Sequence, residues 1–595
     1  MTLAPRSRWR WPDIEAARVD RLVAALGLTR PTATLLLARG LDSSAKLTAF
    51  LRPAIGGSGS ANTFLGGPAA VERLVRAIRE DEGILIHGDY DVDGICGGVL
   101  YKRGLTLLGA RTRLFLPSRF KDGYGVANRA VERAVADGSK VLLTSDTGSQ
   151  AYEAIDLANQ HGIDVVVTDH HQLGLKNPDT PYFINPQQPD CPYPFKGLSG
   201  GGIALKVLQA VAAELGSALP LDEYLPLAAL STIADVCPLQ EENRALVTAG
   251  LELLERTRHP GLRALVATLP REMGTRISAR DCSHGLIPKL NAAGRLDSPR
   301  LAAELLLCDD ASRAKTLAAE LEELNRERKQ IREAVGDQAI RQADALLGLR
   351  SDRAALVLAN PHWHFGVVGI VAARIGERYG RPAILLSQHQ EQQRKGPDGG
   401  PWHYTGSGRA PAGFPLLEAL EQCRPYLLHF GGHATAVGLA LETGQLEQFR
   451  GALEDAMAAI APTPPSLALD GLLAPSELTL RLIRELQQLE PTGAGNPEPL
   501  FAFGPIEITE VQSLGDGSHR RLHGVGPDGK AIQAVHFGCP SAPPPKETPL
   551  AIVGTPVRSV WKGVERLEIQ VKDIGLWSEV PVALEEAEAS CPSTP

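Results

Sequence analysis

Between about residue 75 and residue 240, short apolar runs alternate with stretches of helical periodicity. The runs are GILIHGDYD, TRLFLP, KVLLTSD, DVVVTDHH, PYFIN and LAALSTIADV, the last of which a helix would also accommodate. Strands separated by helices imply βαβ units and a parallel sheet covered on both faces. From Ala311 to Leu347, Leu317, Leu321, Leu324, Ile331 and Val335 recur at spacings of three to seven in a charged background. That spacing predicts one amphipathic helix of about 50 Å, long enough to connect two lobes. A second α/β region runs from AALVLAN through GVVGIVAARIGERYG and PAILLSQ to AVGLALE, and the Pro-rich APTPPS at Ala461–Ser466 closes it. Beyond lie five β-like runs, PIEITEV, HRRLHGV, AIQAVHFG, PLAIVGTPVRSVW and RLEIQVKDI, divided by turn signals such as Pro527-Asp528-Gly529-Lys530. Five short strands over about 110 residues fit a small barrel of the OB type, an architecture that binds single strands.

The expected class is therefore α/β with an added β-barrel. Residues 1–75 read as a helical lead-in, 76–300 as the parallel-sheet domain and 301–350 as the connecting helix. Residues 351–461 read as a smaller α/β domain, 462–578 as the barrel and 579–595 as an acidic, disordered tail. No internal repeat is visible. A length of 595 residues asks for several cores rather than one.

Composition changes this picture little. Hydrophobic content of 43% and charged content of 22% are ordinary for a globular protein. No apolar run approaches the roughly 20 residues that cross a bilayer, and the N-terminus has arginines but no apolar signal core. The eight cysteines are scattered without metal-finger spacing, which suits a reducing cytoplasm. The net charge of −8 argues against a polycation, yet the last 17 residues hold four acids and no base, so half of that surplus is local to the tail.

The candidate chemistry sits at the ends of the apolar runs. HGDYDVDG offers His87, Asp89, Asp91 and Asp93 at alternate positions, which an extended chain would project on one face. TSDTG offers Asp146, TDHH offers Asp169, His170 and His171, and IADV offers Asp235. A solvated strand end explains an Asp-His-His alone, and an acidic turn explains DYDVDG alone. In a parallel sheet, however, all four groups would meet outside the carboxyl ends of the strands. So many carboxylates without counter-charge call for divalent metal, and mixed carboxylate and imidazole donors without cysteine favour Mn²⁺ or Mg²⁺ over structural zinc.

These groups, DYDVDG, SDTG, TDHH and IADV, resemble in order the four motifs of the DHH phosphoesterase superfamily. RPAILLS, GSGRA and FGGHATAVG are similar to its DHHA1 companion domain. PSRFKDGYG, CPYPFKGLSGGGIALKV, LNAAGRLDS, WHFGVVGIVAARI and PTGAGNPEPLF are similar to the RecJ branch, the single-strand-specific 5′→3′ exonucleases. The resemblance covers about residues 75–575. Two departures stand out: Pro491-Thr492-Gly493 where the family has Pro-Phe-Gly, which touches barrel packing, and a long Gly-rich loop before GSGR, which touches one wall of the DNA channel.

What the resemblance implies is a DHH catalytic domain, a DHHA1 domain and an OB-fold domain acting as a two-metal phosphodiesterase. Asp146 would bridge the two ions. Asp93, His170 and Asp235 would complete one shell, and Asp91 with His87 or Asp89 the other. His171 would face the phosphate, although the division of labour between the two histidines stays open. Arg119, Arg295 and Arg409, with Ser407, would line a phosphate track, His433 would face the cleft from the second lobe, and Tyr124 would stack on a base. The implied activity releases nucleoside 5′-monophosphates from single-stranded DNA in repair and recombination, in the cytoplasm, by a monomer away from membranes. Single-strand-binding protein and a helicase are the implied partners. A phosphodiesterase acting on short oligonucleotides or cyclic dinucleotides is the rival enzyme, and a non-catalytic DNA-binding scaffold is the rival from another class.

Overall fold

The computed structural model describes residues 7–55, 59–123, 125–270, 276–388, 403–460, 466–515, 517, 519–539, 543–546, 548–561 and 564–581. The chain divides into two compact units, Ala54–Thr463 and a second made of Met1–Pro53 with Pro464–Pro595.

The larger unit opens with a five-stranded sheet. Its strands are β1 (Gly83–Gly88), β2 (Arg111–Phe115), β3 (Ser139–Ser145), β4 (Asp164–Thr168) and β5 (Phe183–Ile184). All pairings are parallel, in the order β2-β1-β3-β4-β5. The inner strands are buried on both faces, which explains why Ile84–Ile86 and Val165–Val167 read as unbroken apolar runs rather than alternating ones. The chain moves outward from β1 to β2 and then crosses back to place β3 on the other side of β1. That reversal opens a crevice outside the carboxyl ends of β1 and β3, the place where such sheets bind ligands.

LAALSTIADV is a helix, Leu221–Ala234, and not a strand. It packs against the helices Val92–Leu107, Gly200–Glu214 and Glu241–Glu255. Surrounded in this way it is apolar on nearly every side, and such a run carries no period that separates it from a buried strand. Asp235 therefore ends a helix, not a strand.

The segment expected as one connector over 301–350 is two helices, Arg300–Leu307 and Ala311–Leu349. The second starts where the Asp310 side chain accepts the N–H of Arg313 at 2.6 Å, satisfying one orphan donor of the first turn. Its first half joins the core beneath the parallel sheet through Leu317 and Leu321, and its second half joins the next core through Val335, Ala339 and Ala343. That next core lies on a sheet of Leu356–Ala359, Ala383–Ser387, His403–Arg409, Ala436–Glu442 and His429–His433. The first two strands are parallel and the rest antiparallel.

In the other unit, Phe501–Leu514, His519–Val525, Ala531–His536, Val564–Leu576 and Leu550–Trp561 form a sheet whose last strand pairs with the first, closing a barrel. The parallel pairing of the third strand with the fifth in chain order, Ala534 opposite Ile569, lets five strands close in this way. Residues 7–53, expected within a separate lead-in ending near residue 75, belong to this unit. Arg8–Arg10 pairs with Ser466–Ala468, and Leu35, Leu36 and Leu47 are buried with Phe501, Ile506 and Leu522 in one cluster. The reason is apolar area, because the helices Arg30–Ala38 and Ser44–Leu51 are too short to bury a face on their own. At the Pro-Thr-Gly departure, Gly493 and Asn496 bond each other's backbones at 2.8 and 3.2 Å, and the Asn496 amide donates to Leu489 O and Pro491 O. The turn is held by an asparagine with no aromatic ring in it. Most of the Gly-rich loop before GSGR and most of the acidic tail lie outside the described residues.

Candidate metal centre

The carboxylates are placed by backbone groups. The chain leaves β1 at Gly88 and enters the helix Val92–Leu107, with Asp91 as its cap, so the HGDYDVDG acids do not share one extended face. Asp91 accepts the N–H groups of Asp93 at 3.0 Å and Gly94 at 3.3 Å. Asp93, in the first turn and fully buried, accepts the N–H groups of Gly200 and Gly201 at 2.8 Å each, and the Ser231 hydroxyl donates to it as well. Its carboxylate thus sits on the positive end of the helix Gly200–Glu214. Two glycines make the crowding possible: a Cβ on Gly94 would lie 2.2 Å from Asp89 N, and one on Gly200 would lie 2.5 Å from Asp146 Cβ.

Asp146 follows β3 in the left-handed region at φ 63°, a conformation that aspartate tolerates better than most residues but that still carries strain. Its N–H donates to Thr168 O at 3.0 Å, which locks the turn to β4. His170 Nε2 stands 2.9 Å from Asp146 Oδ1, 3.5 Å from Asp93 Oδ2 and 3.6 Å from Asp235 Oδ2. One imidazole nitrogen therefore faces carboxylates from three elements.

Asp169 orients the neighbouring histidine. Its Oδ1 accepts His170 N, His171 N and His171 Nδ1, the last at 2.8 Å, and its Oδ2 accepts Ser149 N at 2.9 Å. Burial pushes Asp169 up, but the bond and charge of His171 and the Ser149 bonds hold it well below the usual carboxylate range. Burial pushes His171 down, and the Asp169 bond outweighs it, raising the ring to about 9. The pair is an imidazolium carboxylate at neutral pH.

The remaining acids repel one another. Burial, then Asp91, lifts Asp89 to about 8, and burial, with Asp235 and Asp91 against the pull of His170, lifts Asp93 to about 6. Burial, then Asp93, Asp91 and Asp89, raises Asp146 well above its ordinary value. Asp89 Oδ1 and His87 Nδ1 are buried without any hydrogen-bond partner. The orphaned carboxylate oxygen of Asp89, among mutually repelling carboxylates, fits divalent cations of oxygen and nitrogen preference.

Three groups of donor atoms lie within 4.8 Å of one another among the described residues: Asp89, Asp91 and Asp146; Asp146, His170 and His171; and His170, Asp235 and Cys237. His87 belongs to none of them. Burial lowers it to about 4, and its Nε2 accepts Ala127 N at 3.3 Å, which puts the proton of the neutral ring on Nδ1. Of the two alternatives beside Asp91, Asp89 is the one gathered with it. The donor set expected to lack cysteine has Cys237 at its edge, where Sγ donates to Asp235 Oδ2 at 3.1 Å. Burial and the nearby Asp235 hold that thiol protonated.

Cations gather along the same unit. The Arg119 guanidinium lies over the Tyr90 ring at 4.2 Å, and Arg295 donates to Gly366 O at 3.3 Å. Arg409 donates to Gly408 O at 2.8 Å, and a Cβ on Gly369 would lie 3.3 Å from Ser407 and 3.4 Å from Arg409 Nη2. Burial, then the charges of Arg119 and Arg328, lowers Arg295 to about 10; burial, then Arg119, lowers Arg409. His433 is exposed on an edge strand and pairs with Ala436, which on its other side pairs with Arg409. Tyr124 lies outside the described residues. A cavity of about 510 Å³ is bordered by Ser118, Phe120, Leu296 and His364, next to Arg119 and Arg295. Another, of about 430 Å³, opens beside Asp169 and His171. Sequence reasoning missed Tyr90, Ser231, Cys237 and Arg328. Tyr90 stood inside a recognised motif and Cys237 directly after another, whereas Ser231 and Arg328 are joined to the site by tertiary contacts alone.

Three family profiles match the chain: "DHH family, N-terminal domain" over residues 83–232, "DHHA1 domain" over 352–459 and "RecJ OB domain" over 469–573. The chain is 38% identical over 474 residues to the single-stranded-DNA-specific exonuclease RecJ of Dickeya dadantii (strain 3937), a match covering 76% of this chain and 80% of that one. It is 35% identical over 520 residues to RecJ of Bacillus subtilis (strain 168), covering 86% of this chain but 63% of that longer relative, so it spans less than two thirds of the latter's length. The crystal structure of RecJ in complex with Mn²⁺ from Thermus thermophilus superimposes with a TM-score of 0.81 at 32% identity, over 96% of this chain and 79% of that one. The Mg²⁺ complex of the same protein gives 0.76 at 31% identity, over 96% and 78%.

Proposed function

The chain belongs to the RecJ family of single-stranded-DNA-specific exonucleases, and from that membership we propose that it degrades single-stranded DNA from the 5′ end, releasing nucleoside 5′-monophosphates. The observation that carries the reading is the meeting of carboxylates from the ends of β1 and β3 and from the helix Leu221–Ala234 around the His170 ring, within the same unit as a series of arginines. One cluster suits cations and the other suits a polyanion.

Asp146, Asp93, His170 and Asp235 would hold one Mn²⁺ or Mg²⁺, and Asp91 with Asp89 the other, with Asp146 shared. When bound, the ions supply positive charge for the attacking and leaving oxygens and an acidified water. Gly200, Gly201 and Ser231 fix Asp93 so that its carboxylate does not swing when the crevice fills. Asp169 keeps His171 charged and turned, so that its ring can donate toward a phosphate oxygen. Arg119, Arg295, Arg409 and Ser407 bind the backbone and the 5′ end, His433 approaches from the edge strand of the second sheet, and Tyr124 stacks on a base. The barrel is a second binding surface for the single strand. Repair and recombination, a cytoplasmic monomer, and association with single-strand-binding protein and a helicase belong to the same proposal.

The test is degradation of long single strands labelled at either end, in Mn²⁺ and in Mg²⁺. Expected is early release of a 5′-labelled mononucleotide while a 3′ label stays on shortening strands. Cleavage of two- or three-nucleotide substrates alone would sink the reading in favour of a small-substrate phosphodiesterase.

A further inference from the structure

The connecting helix Ala311–Leu349 carries its buried residues on one stripe, and Arg328 stands on it seven residues after Leu321 and seven before Val335. Leu321 belongs to the core under the parallel sheet, Val335 to the core of the next sheet. Arg328 is thus the position where the stripe passes from one core to the other, and a leucine or methionine would be the ordinary occupant. The arginine is only 8% exposed. Its Nη2 donates to Asn325 Oδ1 at 2.9 Å, and its Nε is buried without a partner. No ion pair is found for it among the described residues. The Nε atoms of Arg332, one turn on, and of Arg119 are buried and unpartnered as well.

Arginine cannot escape burial by losing its proton, so an unpaired buried guanidinium is unfavourable until an anion reaches it. The charges of this group are felt in series. Burial and Arg332 lower Arg328, and Arg328 in turn is among the charges that lower Arg295. We propose that Arg328 is a further phosphate-binding residue, which carries the track of Arg119, Arg295 and Arg409 onto the connecting helix so that it holds a second phosphate of a single strand. The proposal rests on the nuclease reading above. The planar guanidinium of arginine, here with its Nε unpartnered, suits a phosphate that is either the 5′-terminal group or an internal linkage.

Binding of a short 3′-labelled single strand to the full chain in EDTA, measured over a series of salt concentrations, tests it. R328Q is expected to weaken binding about tenfold at low salt and to make the slope of log affinity against log salt shallower by about 0.7, the share of one single-strand phosphate. R328K is expected to keep the slope, and the melting temperature of R328Q to stay level or rise, since an unpaired buried charge is gone. Strands with a 5′-hydroxyl, or with a neutral methylphosphonate at the first or second linkage, separate the two sources. The contact is with the terminal phosphate if the R328Q loss disappears on the hydroxyl strand, and with an internal linkage if it disappears on one methylphosphonate strand. An unchanged slope, or an equal loss on every strand, overturns the proposal and leaves a structural arginine. Failure of the unaltered chain to degrade strands in Mn²⁺ while the slope change persists would sink the nuclease reading and not this contact; failure to bind at all overturns both.

Discussion

Two clusters of like charge stand in the larger unit and are held by opposite means. The carboxylates after β1 and β4 are fixed by backbone N–H groups: Asp93 by Gly200 and Gly201, Asp91 by its own helix, and Asp169 by Ser149 and the His170 and His171 amides. The guanidiniums sit at the ends of long stems and rest on a ring face or single carbonyls, Tyr90 under Arg119 and Gly366 O beside Arg295. Rigid placement suits an ion, whose shell tolerates small errors in distance poorly. Adjustable placement suits a polymer whose phosphates arrive with varied base sequence. One cluster is therefore organised before its ligand and the other by it.

The contrast can be broken most severely at Asp146. D146A is expected to lower hydrolysis by a thousandfold or more, roughly the several kcal/mol of charge stabilisation that the ions supply, while single-strand binding in EDTA stays within about threefold. A matched loss of binding would mean that the two clusters do not act separately. D169N should reduce turnover by about 10–100-fold, because His171 loses the partner that turns it. Its activity should also fall from a lower pH than the unaltered chain, whose His171 stays charged until the pH nears about 9.

On the arginine side, R295A is expected to raise KM about 10–100-fold with kcat changed much less, the loss of one charged hydrogen bond to a substrate anion. A kcat effect instead would move Arg295 to the metal cluster. Without metal, the raised acids make stability depend on pH in a definite direction. A carboxylate lifted to about 6 or 8 holds its proton more tightly folded than unfolded. The resulting loss of stability is absent below the unfolded value near 4 and grows as pH rises through the folded value. The EDTA-treated chain should therefore melt roughly 5 °C lower at pH 8 than at pH 5, and Mn²⁺ should raise the melting temperature more at pH 8. An equal Mn²⁺ shift at both values would show that the acids are not crowded. The smallest effect is expected of Y90L, about threefold in affinity for a 5′-phosphorylated strand, since an aromatic face contributes little beside a full charge.

Much of this was legible along the chain. Apolar runs found all five strands of the parallel sheet, three in full length and two short by one residue at the start, and the spacing of leucines found the long helix to within two residues of its end. The acids and histidines announced themselves as polar residues where apolar runs stop. What failed to show had a common cause. LAALSTIADV has no period because helices surround it, and Asp91 and Asp93 left the extended face because Asp91 caps a helix there.

Local pattern is enough to set the elements, their class and the residue types at their ends, because propensity, capping and burial act over a few positions. Which of those ends meet is a matter of long-range packing. The β2-β1-β3 strand order brings Asp146 beside Asp91, and the fold of Leu221–Ala234 brings Asp235 and Cys237 to His170. Arg328 lies in a stretch that reads as an ordinary charged helix. Its burial follows from two cores closing on either side of it, and no local period records that. Likewise Leu35, Leu36 and Leu47 find their apolar partners more than 400 residues along the chain, in a barrel whose closure is itself a long-range pairing.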